Sequence, residues 1–224
     1  QAHGGGVAMN GGTLVAENCA FRWNGAWARS VTFGGGLSIS GTVAATVTRS
    51  LFQDNDAWHA GGLHFLGDDH SPLSVDRCSF TDNGRGHSRG RAYGGYAAAL
   101  DVRNAKARIV NNTMHGNRVT NDNGALYVAD SDLYLTRNVI TGNRAGRTSG
   151  MDLLNVSTLT VTNNIVADNV SRRHWLELPA VRLRGSTGHF VHNTIAGNDS
   201  GYGLEIASGA MVSLTNTILV SHTV

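Results

Sequence analysis

A six-residue phrase recurs eight times along this chain, and this repetition restricts the fold more than any other feature. The phrase has a small or hydrogen-bonding residue first, an apolar residue third and, in seven copies, asparagine sixth. The copies are CAFRWN at 19–24, SLFQDN at 50–55, CSFTDN at 78–83, NTMHGN at 112–117, NVITGN at 138–143, NIVADN at 164–169, NTIAGN at 193–198 and NTILVS at 216–221. Spacings of 23 to 34 residues are typical of a protein built from stacked repeats.

A second phrase precedes each copy and consists of a small pair followed by alternating apolar residues. It reads GGVAM at 5–9, GGLSI at 35–39, GGLHF at 61–65, GGYAA at 94–98, NGALYV at 123–128, SGMDL at 149–153, PAVRL at 179–183 and YGLEI at 202–206. A further alternating stretch, such as LYLT at 133–136, lies between the two phrases. Three short strands per repeat predict one coil of a right-handed parallel β-helix, with strands about 4.8 Å apart in successive coils. We expect an all-β solenoid of about eight coils, with residues 1–224 forming one domain.

Alternation of side chains along each strand places equivalent residues in ladders that run along the helix axis. The third position of the six-residue phrase predicts an apolar core ladder: Phe21, Phe52, Phe80, Met114, Ile140, Val166, Ile195 and Ile218. The first position predicts a polar inward ladder of stacked, hydrogen-bonded side chains: Cys19, Ser50, Cys78, Asn112, Asn138, Asn164, Asn193 and Asn216. The sixth position predicts a turn ladder: Asn24, Asn55, Asn83, Asn117, Asn143, Asn169, Asn198 and Ser221. We expect Cys19 and Cys78 to be buried free thiols, because two coils separate them by more than a disulfide can span.

Composition excludes several classes of protein. The net charge is only +2, no apolar run is long enough for a membrane helix, and no nucleic-acid-binding module is recognisable. No phosphate-binding loop, nucleophile elbow or zinc-finger spacing is present, so we expect no cofactor and no metal. His59, His64, Asp68, Asp69 and His70 have suitable chemistry for a metal, but their spacing matches no known ligand set.

The repeat resembles those of bacterial surface and secreted proteins with right-handed β-helices, including autotransporter-type passengers and large anchored β-helix proteins. The segment at 193–221 carries the resemblance most clearly. The resemblance implies an extracellular or bacterial cell-surface location and says little about chemistry. Pectate lyases and polygalacturonases share the architecture, but their signature motifs are missing.

Function is expected where the repeat is interrupted. Long connections follow Asn24, Asn83 and Asn169. We expect the connections of the third and sixth coils to form the two sides of a basic trough over the fourth and fifth coils. Arginine and tryptophan suit an anionic polysaccharide or another cell-surface ligand. The candidate ligand-binding residues are Trp27, Trp58, Arg89, Arg91, Tyr93, Arg118, Arg147, Arg172, Arg173 and Trp175. Two plainer interpretations stay open, a solubilising basic edge and tryptophans that pack as small satellite cores.

The outward positions of the first strand give a second set of candidates. Counting from the small pair gives Ala8, Ser38, His64, Ala97, Leu126 or Tyr127, Asp152, Arg182 and Glu205. Asp152, Arg182 and Glu205, or His64, are the candidate catalytic residues of a polysaccharide lyase or glycosidase. The two carboxylates should lie roughly 9–10 Å apart, near the upper limit for an inverting glycosidase. Cross-strand charge pairing on an exposed sheet is the alternative explanation.

Neither end of the chain shows a cap, and the repeat already begins at Gln1. We therefore expect a fragment of a longer protein, or coils that stack end to end between molecules. The leading hypothesis is a non-catalytic extracellular module that presents a basic face to a glycan or cell surface. The alternatives are an enzyme acting on an acidic polysaccharide, and a structural stalk of an adhesin.

Overall fold

A computed structural model describes residues 2–26, 32–84, 97–120, 122–172, 177–199, 201–220 and 222, and for residues 2, 3, 42, 43, 69 and 70 it describes the backbone only. Within these ranges every regular element is a β-strand, and the strands of each face pair in parallel with their copies in the next rung. The architecture is a parallel β-helix, as the repeat predicts.

Each rung contributes strands to three faces. In four rungs one long strand covers the first and second faces: β2 (Val7–Glu17), β5 (Leu37–Thr48), β7 (Leu63–Asp76) and β9 (Leu100–Val110). In the later rungs the first face is β11 (Leu126–Ala129), β15 (Met151–Leu154), β19 (Pro179–Arg184) and β22 (Tyr202–Ala207). The second face there is β12 (Asp132–Thr136), β16 (Thr158–Thr162), β20 (Thr187–Val191) and β23 (Met211–Thr215).

The third face is a sheet of eight short strands that correspond to the eight copies of the six-residue phrase. They are β3 (Ala20–Arg22), β6 (Leu51–Gln53), β8 (Ser79–Thr81), β10 (Thr113–His115), β13 (Val139–Thr141), β17 (Ile165–Ala167), β21 (Thr194–Ala196) and β24 (Ile218–Val220). Two-residue strands complete the fold: β1 (Ala2–His3) pairs with β4 (Thr32–Phe33), and β14 (Arg144–Ala145) pairs with β18 (Val170–Ser171).

The apolar ladder of the third face lies in the core, as predicted for seven of its eight positions. Phe52 and Phe80 are fully buried, and their rings stack with centroids 4.7 Å apart, about one rung spacing. Phe21 continues the stack at the same centroid distance from Phe52. Each rung therefore buries its large side chain against the two neighbouring rungs, which a single repeat could not do alone.

Both asparagine ladders are confirmed as chains of buried hydrogen bonds. In the turn ladder each Nδ2 donates to the Oδ1 of the next rung at 2.9–3.0 Å, from Asn24 through to Asn198. The polar inward ladder repeats the arrangement from Asn112 to Asn193, again at 3.0 Å. Asn side chains thus satisfy one another and nearby backbone groups inside the solenoid.

The backbone conformation corrects the prediction for the turn ladder. The left-handed conformation belongs to the residue before each ladder asparagine, as at Asp54, Asp82 and Asp168, and not to the asparagine itself. The same rule explains an error of one residue in the last rung. Asn216 has φ 46° and fills the left-handed position, so Leu219, and not Ile218, continues the core ladder from Ile195.

The two cysteines are both free, as predicted. Cys78 is buried, whereas Cys19 is only partly so. Burial raises the pKa of the Cys78 thiol to about 11. Such a thiol stays protonated at neutral pH and is a poor nucleophile or metal ligand.

Candidate functional site

The outward positions of the first face form one ladder along the solenoid. Strand register gives its members as Ala8, Ser38, His64, Asp101, Tyr127, Asp152, Arg182 and Glu205. We call this set the outer ladder. The predicted positions of His64, Asp152, Arg182 and Glu205 on it are confirmed.

The fourth rung is the exception, because the outward residue there is Asp101 and the prediction of Ala97 was wrong. Leu63 pairs with Leu100, and the small pair before β9 is Ala98–Ala99, not the glycine pair of the phrase at 94–98. In the fifth rung Tyr127, and not Leu126, faces outward. The alternation in ALDVRN at 99–104 is the sequence signal that could have located Asp101.

Most of the outer ladder is buried, although it lies outside the core. His64 is 2% exposed, Tyr127 is 3% exposed, and Asp101 and Asp152 are completely buried. Glu205, at the far end, is partly exposed. Buried carboxylates require charged or hydrogen-bonding partners, and the structure supplies them in two separate clusters.

The first cluster surrounds Asp101. Arg103 donates from Nε to Oδ1 at 2.9 Å and from Nη2 to Oδ2 at 3.2 Å, which is a bidentate pair. The Nδ1 atoms of His59 and His64 lie 3.6 Å and 3.3 Å from Oδ2. The Phe33 ring covers both imidazoles, with centroids 4.9 Å from His59 and 4.7 Å from His64.

These contacts determine the charge of the Asp101 carboxyl group. Burial acts to raise its pKa, but the contacts with His59 and His64 and the positive charge of Arg103 outweigh burial. The net effect holds the pKa of Asp101 well below its usual range, so this carboxylate stays ionised.

Tyr127 separates the two clusters. Its position on the outer ladder lies between Asp101 and Asp152, and the Arg103 guanidinium is 5.0 Å from the ring centroid. Burial is the main reason that the pKa of Tyr127 rises to about 12. Tyr127 is therefore a neutral aromatic spacer at physiological pH, packed with Ala97 and Ala129.

The second cluster surrounds Asp152. Arg182, on the next rung of the outer ladder, donates from Nη2 to Oδ2 at 2.9 Å, and Arg184 donates from its own Nη2 to the same oxygen at 3.0 Å. The Asp152–Arg182 contact is the cross-strand pairing considered as the alternative to catalysis. Because Asp152 is buried and engaged by two guanidiniums, its carboxylate is not open to solvent.

Exposed arginines also line the connection that follows the turn ladder. Arg118 and Arg144 stand in register on adjacent rungs, each one residue after its ladder asparagine. Arg147 is exposed and lies 3.7 Å from Asp122, and Arg172 is exposed on the following rung. We call these four residues the basic edge. Within the described ranges neither Arg118 nor Arg144 forms an ion pair.

The remaining predicted ligand-binding residues are only partly covered by the structure. Trp58 is 40% exposed, and its backbone N–H donates to Thr32 Oγ1 at 2.9 Å. The other candidates lie outside the described residues: Trp27, Arg89, Arg91, Tyr93, Arg173 and Trp175. The trough walls predicted after Asn24, Asn83 and Asn169 fall mostly in these same segments.

His59 and His64 both meet Asp101 of the next rung. Among the described residues, no three histidine, cysteine or acidic side chains are arranged to hold a metal ion. The described residues also include no helix long and apolar enough to cross a membrane.

Stacked parallel rungs, asparagine ladders and a polar outer ladder define the class of protein as a parallel β-helix. Residues 1–146 match the family model described as "Right handed beta helix region". The chain belongs to this family of right-handed β-helix proteins. Comparison with curated proteins gave no match, and neither did comparison with solved structures.

Proposed function

We propose that this chain is a secreted or cell-surface β-helix module that binds an acidic polysaccharide at its basic edge without chemically changing it. The observation that carries the proposal is the stacked pair Arg118 and Arg144. Both side chains are exposed, and neither has an acidic partner among the described residues.

Like charges directly opposite each other on neighbouring strands are destabilising. The backbone positions of Arg118 and Arg144 are about 4.8 Å apart, as in any parallel pair. An anionic polymer with a charge on successive sugars relieves this repulsion, because each guanidinium can bind its own carboxylate or sulfate group. Arg172 extends the positive potential beyond the pair, whereas Asp122 offsets the charge of Arg147.

The geometry of the outer ladder favours binding over hydrolysis. Glycoside hydrolysis ordinarily needs two carboxyl groups that flank the substrate. Asp101 and Asp152 are fully buried in ion pairs, so Glu205 is the one outer-ladder carboxylate with exposed surface. His64, the other candidate catalytic residue, is only 2% exposed.

The test measures binding of polygalacturonate, alginate and chondroitin sulfate, with neutral dextran as the reference polymer. We expect the acidic polymers to bind with an affinity that falls as salt rises, because the contacts are between opposite charges. Release of unsaturated or reducing ends is followed in the same samples. Release of new ends would show that the protein is an enzyme and not a binding module. Absence of both binding and release would favour a structural stalk.

A charge-matched pair of variants locates the surface. Arg118→Ala/Arg144→Ala should weaken binding of the acidic polymer by about tenfold or more, because two charge-assisted contacts are lost. Arg22→Ala/Arg108→Ala removes the same charge from exposed positions on the third and second faces and should change affinity little. Equal losses in both double variants would contradict the proposal, because net charge alone would then explain binding.

A further inference from the structure

The second buried cluster has more hydrogen-bond donors than its single acid can use. We infer that Arg182 and Arg184, positioned by Asp152, form a subsite for one carboxylate or sulfate group of an acidic sugar. This inference rests on the proposed function and assigns Asp152 a positioning role in place of a catalytic one.

Strand geometry preorganises the two guanidiniums. Arg182 and Arg184 are two residues apart on β19, so both project from the outer side of the first face. Asp152, on the neighbouring strand β15, holds both through Oδ2 at 2.9 Å and 3.0 Å. Because the acid is completely buried, it anchors the arginines from beneath while their side chains stay 12% and 31% exposed.

Charge and donors are both left over in this cluster. One carboxylate faces two guanidiniums, which leaves a local excess of one positive charge. Each guanidinium has five N–H donors, and the Nε of Arg184 is buried without a hydrogen-bond partner. That buried Nε shows that Asp152 does not use all the donors of Arg184. An incoming anion would meet Arg184 at the exposed part of its side chain, which is 31% exposed and carries donors that Asp152 does not engage.

The Asp101 cluster shows the contrasting arrangement. There a single guanidinium binds its carboxylate with both Nε and Nη2, so Arg103 is engaged as a fork. At Asp152 the Nε of Arg182 is at the 3.5 Å limit of a hydrogen bond, and Arg184 makes its contact through Nη2 alone. The two clusters share a chemistry, but the Asp152 cluster retains unused capacity for an anion.

Glu205 lies on the opposite side of Arg182, one rung further along the outer ladder. It is partly exposed, and within the part of the chain that the structure describes it forms no ion pair with Arg182. Its carboxylate should therefore repel an incoming anion without orienting the arginines. The two acids that flank Arg182 are predicted to have opposite effects on affinity.

The experiment titrates sodium glucuronate and, separately, sodium sulfate into the protein, and follows the arginine Nε–Hε signals by ¹H–¹⁵N NMR. Asp152→Asn should weaken binding about tenfold, although it makes the protein more positive, because the guanidiniums lose their anchor. Glu205→Gln makes the same change in charge and should strengthen binding about twofold, by removing a like charge from beside the ligand. Asp54→Asn, which follows β6 four rungs before β15, is the distant control for net charge and should leave the affinity unchanged.

Arg184→Lys keeps the charge and removes the planar fork, so it should weaken glucuronate binding even if Asp152→Asn does not fold. Affinity in Asp152→Asn equal to or above that of the wild type would overturn the positioning role. Unchanged affinity in Arg184→Lys would overturn the subsite itself.

These readouts separate the subsite from the basic edge. Arg118→Ala/Arg144→Ala should lower affinity for the acidic polymer and leave the titration with glucuronate unchanged. If Arg118→Ala/Arg144→Ala weakens polymer binding and neither Asp152→Asn nor Arg184→Lys has any effect, the proposed function stands and the subsite is refuted.

Discussion

Replacing Asn143 by alanine should destabilise the solenoid far more than the same change in the first rung. The Asn143 side chain is completely buried and takes part in four hydrogen bonds. Its Oδ1 accepts from the backbone N–H and the Nδ2 of Asn117 at 3.0 Å and 2.9 Å. Its Nδ2 donates to the Met114 carbonyl and to Asn169 Oδ1, both at 2.9 Å.

Each such bond contributes a net free energy of about 1 kcal/mol, so Asn143→Ala should lower the free energy of unfolding by about 4 kcal/mol. Asn24 is the matched control, because its side chain makes one such bond, to Asn55 Oδ1 at 3.0 Å. Asn24→Ala should therefore cost about 1 kcal/mol.

Urea unfolding followed by circular dichroism measures both changes, provided the m-values of the variants agree with that of the wild type. Equal losses for Asn143→Ala and Asn24→Ala would refute the idea that ladder hydrogen bonds determine the cost. A loss below about 1 kcal/mol at Asn143 would refute it as well, since a buried donor and acceptor would then be left unpaired at almost no cost.

Three further outcomes follow from the core, the buried acid and the thiols. Phe80→Ala should cost about 3–5 kcal/mol in urea unfolding, because it opens a cavity in the stacked core, whereas Val15→Ala at a 69% exposed position should cost little. Because the pKa of Asp101 is depressed in the folded state, its stabilisation is present above the ordinary value of 3.8 and is lost as pH falls below it. The difference in stability between the wild type and Asp101→Asn should thus shrink as pH falls below 3.8, and a difference that grows in that range would contradict this sign. With a thiol reagent at pH 8, Cys19 should react in the native protein and Cys78 only after denaturation, as mass spectrometry of the labelled peptides would show.

The ladders could be predicted because a β-helix repeats the same environment in every rung. Phe52 and Phe80 occupy equivalent positions in two copies of one phrase, and stacking those copies brings the two rings into contact. The asparagine ladders follow from the same logic, since Asn143 meets another asparagine above and below it. Errors arose where identical letters hid different backbone positions, as with Asn216 in the last rung.

The candidate site was less predictable. Side-chain alternation correctly located Asp152, Arg182 and Glu205 on the outer ladder, because it depends only on strand parity. Asp101 was missed because the strand was counted from the glycine pair at 94–95, whereas the small pair that precedes β9 is Ala98–Ala99.

The sequence alone therefore determined the repeat, the direction in which most strand residues point and the continuous core. These properties depend on periodicity, which is local and can be read one rung at a time. Tertiary structure decided which charges meet and which are removed from water. Asp152 pairs with two arginines, and Asp101 contacts one arginine and two histidines. These contacts depend on rotamers, burial and the packing of neighbouring rungs, which the period of the repeat does not determine.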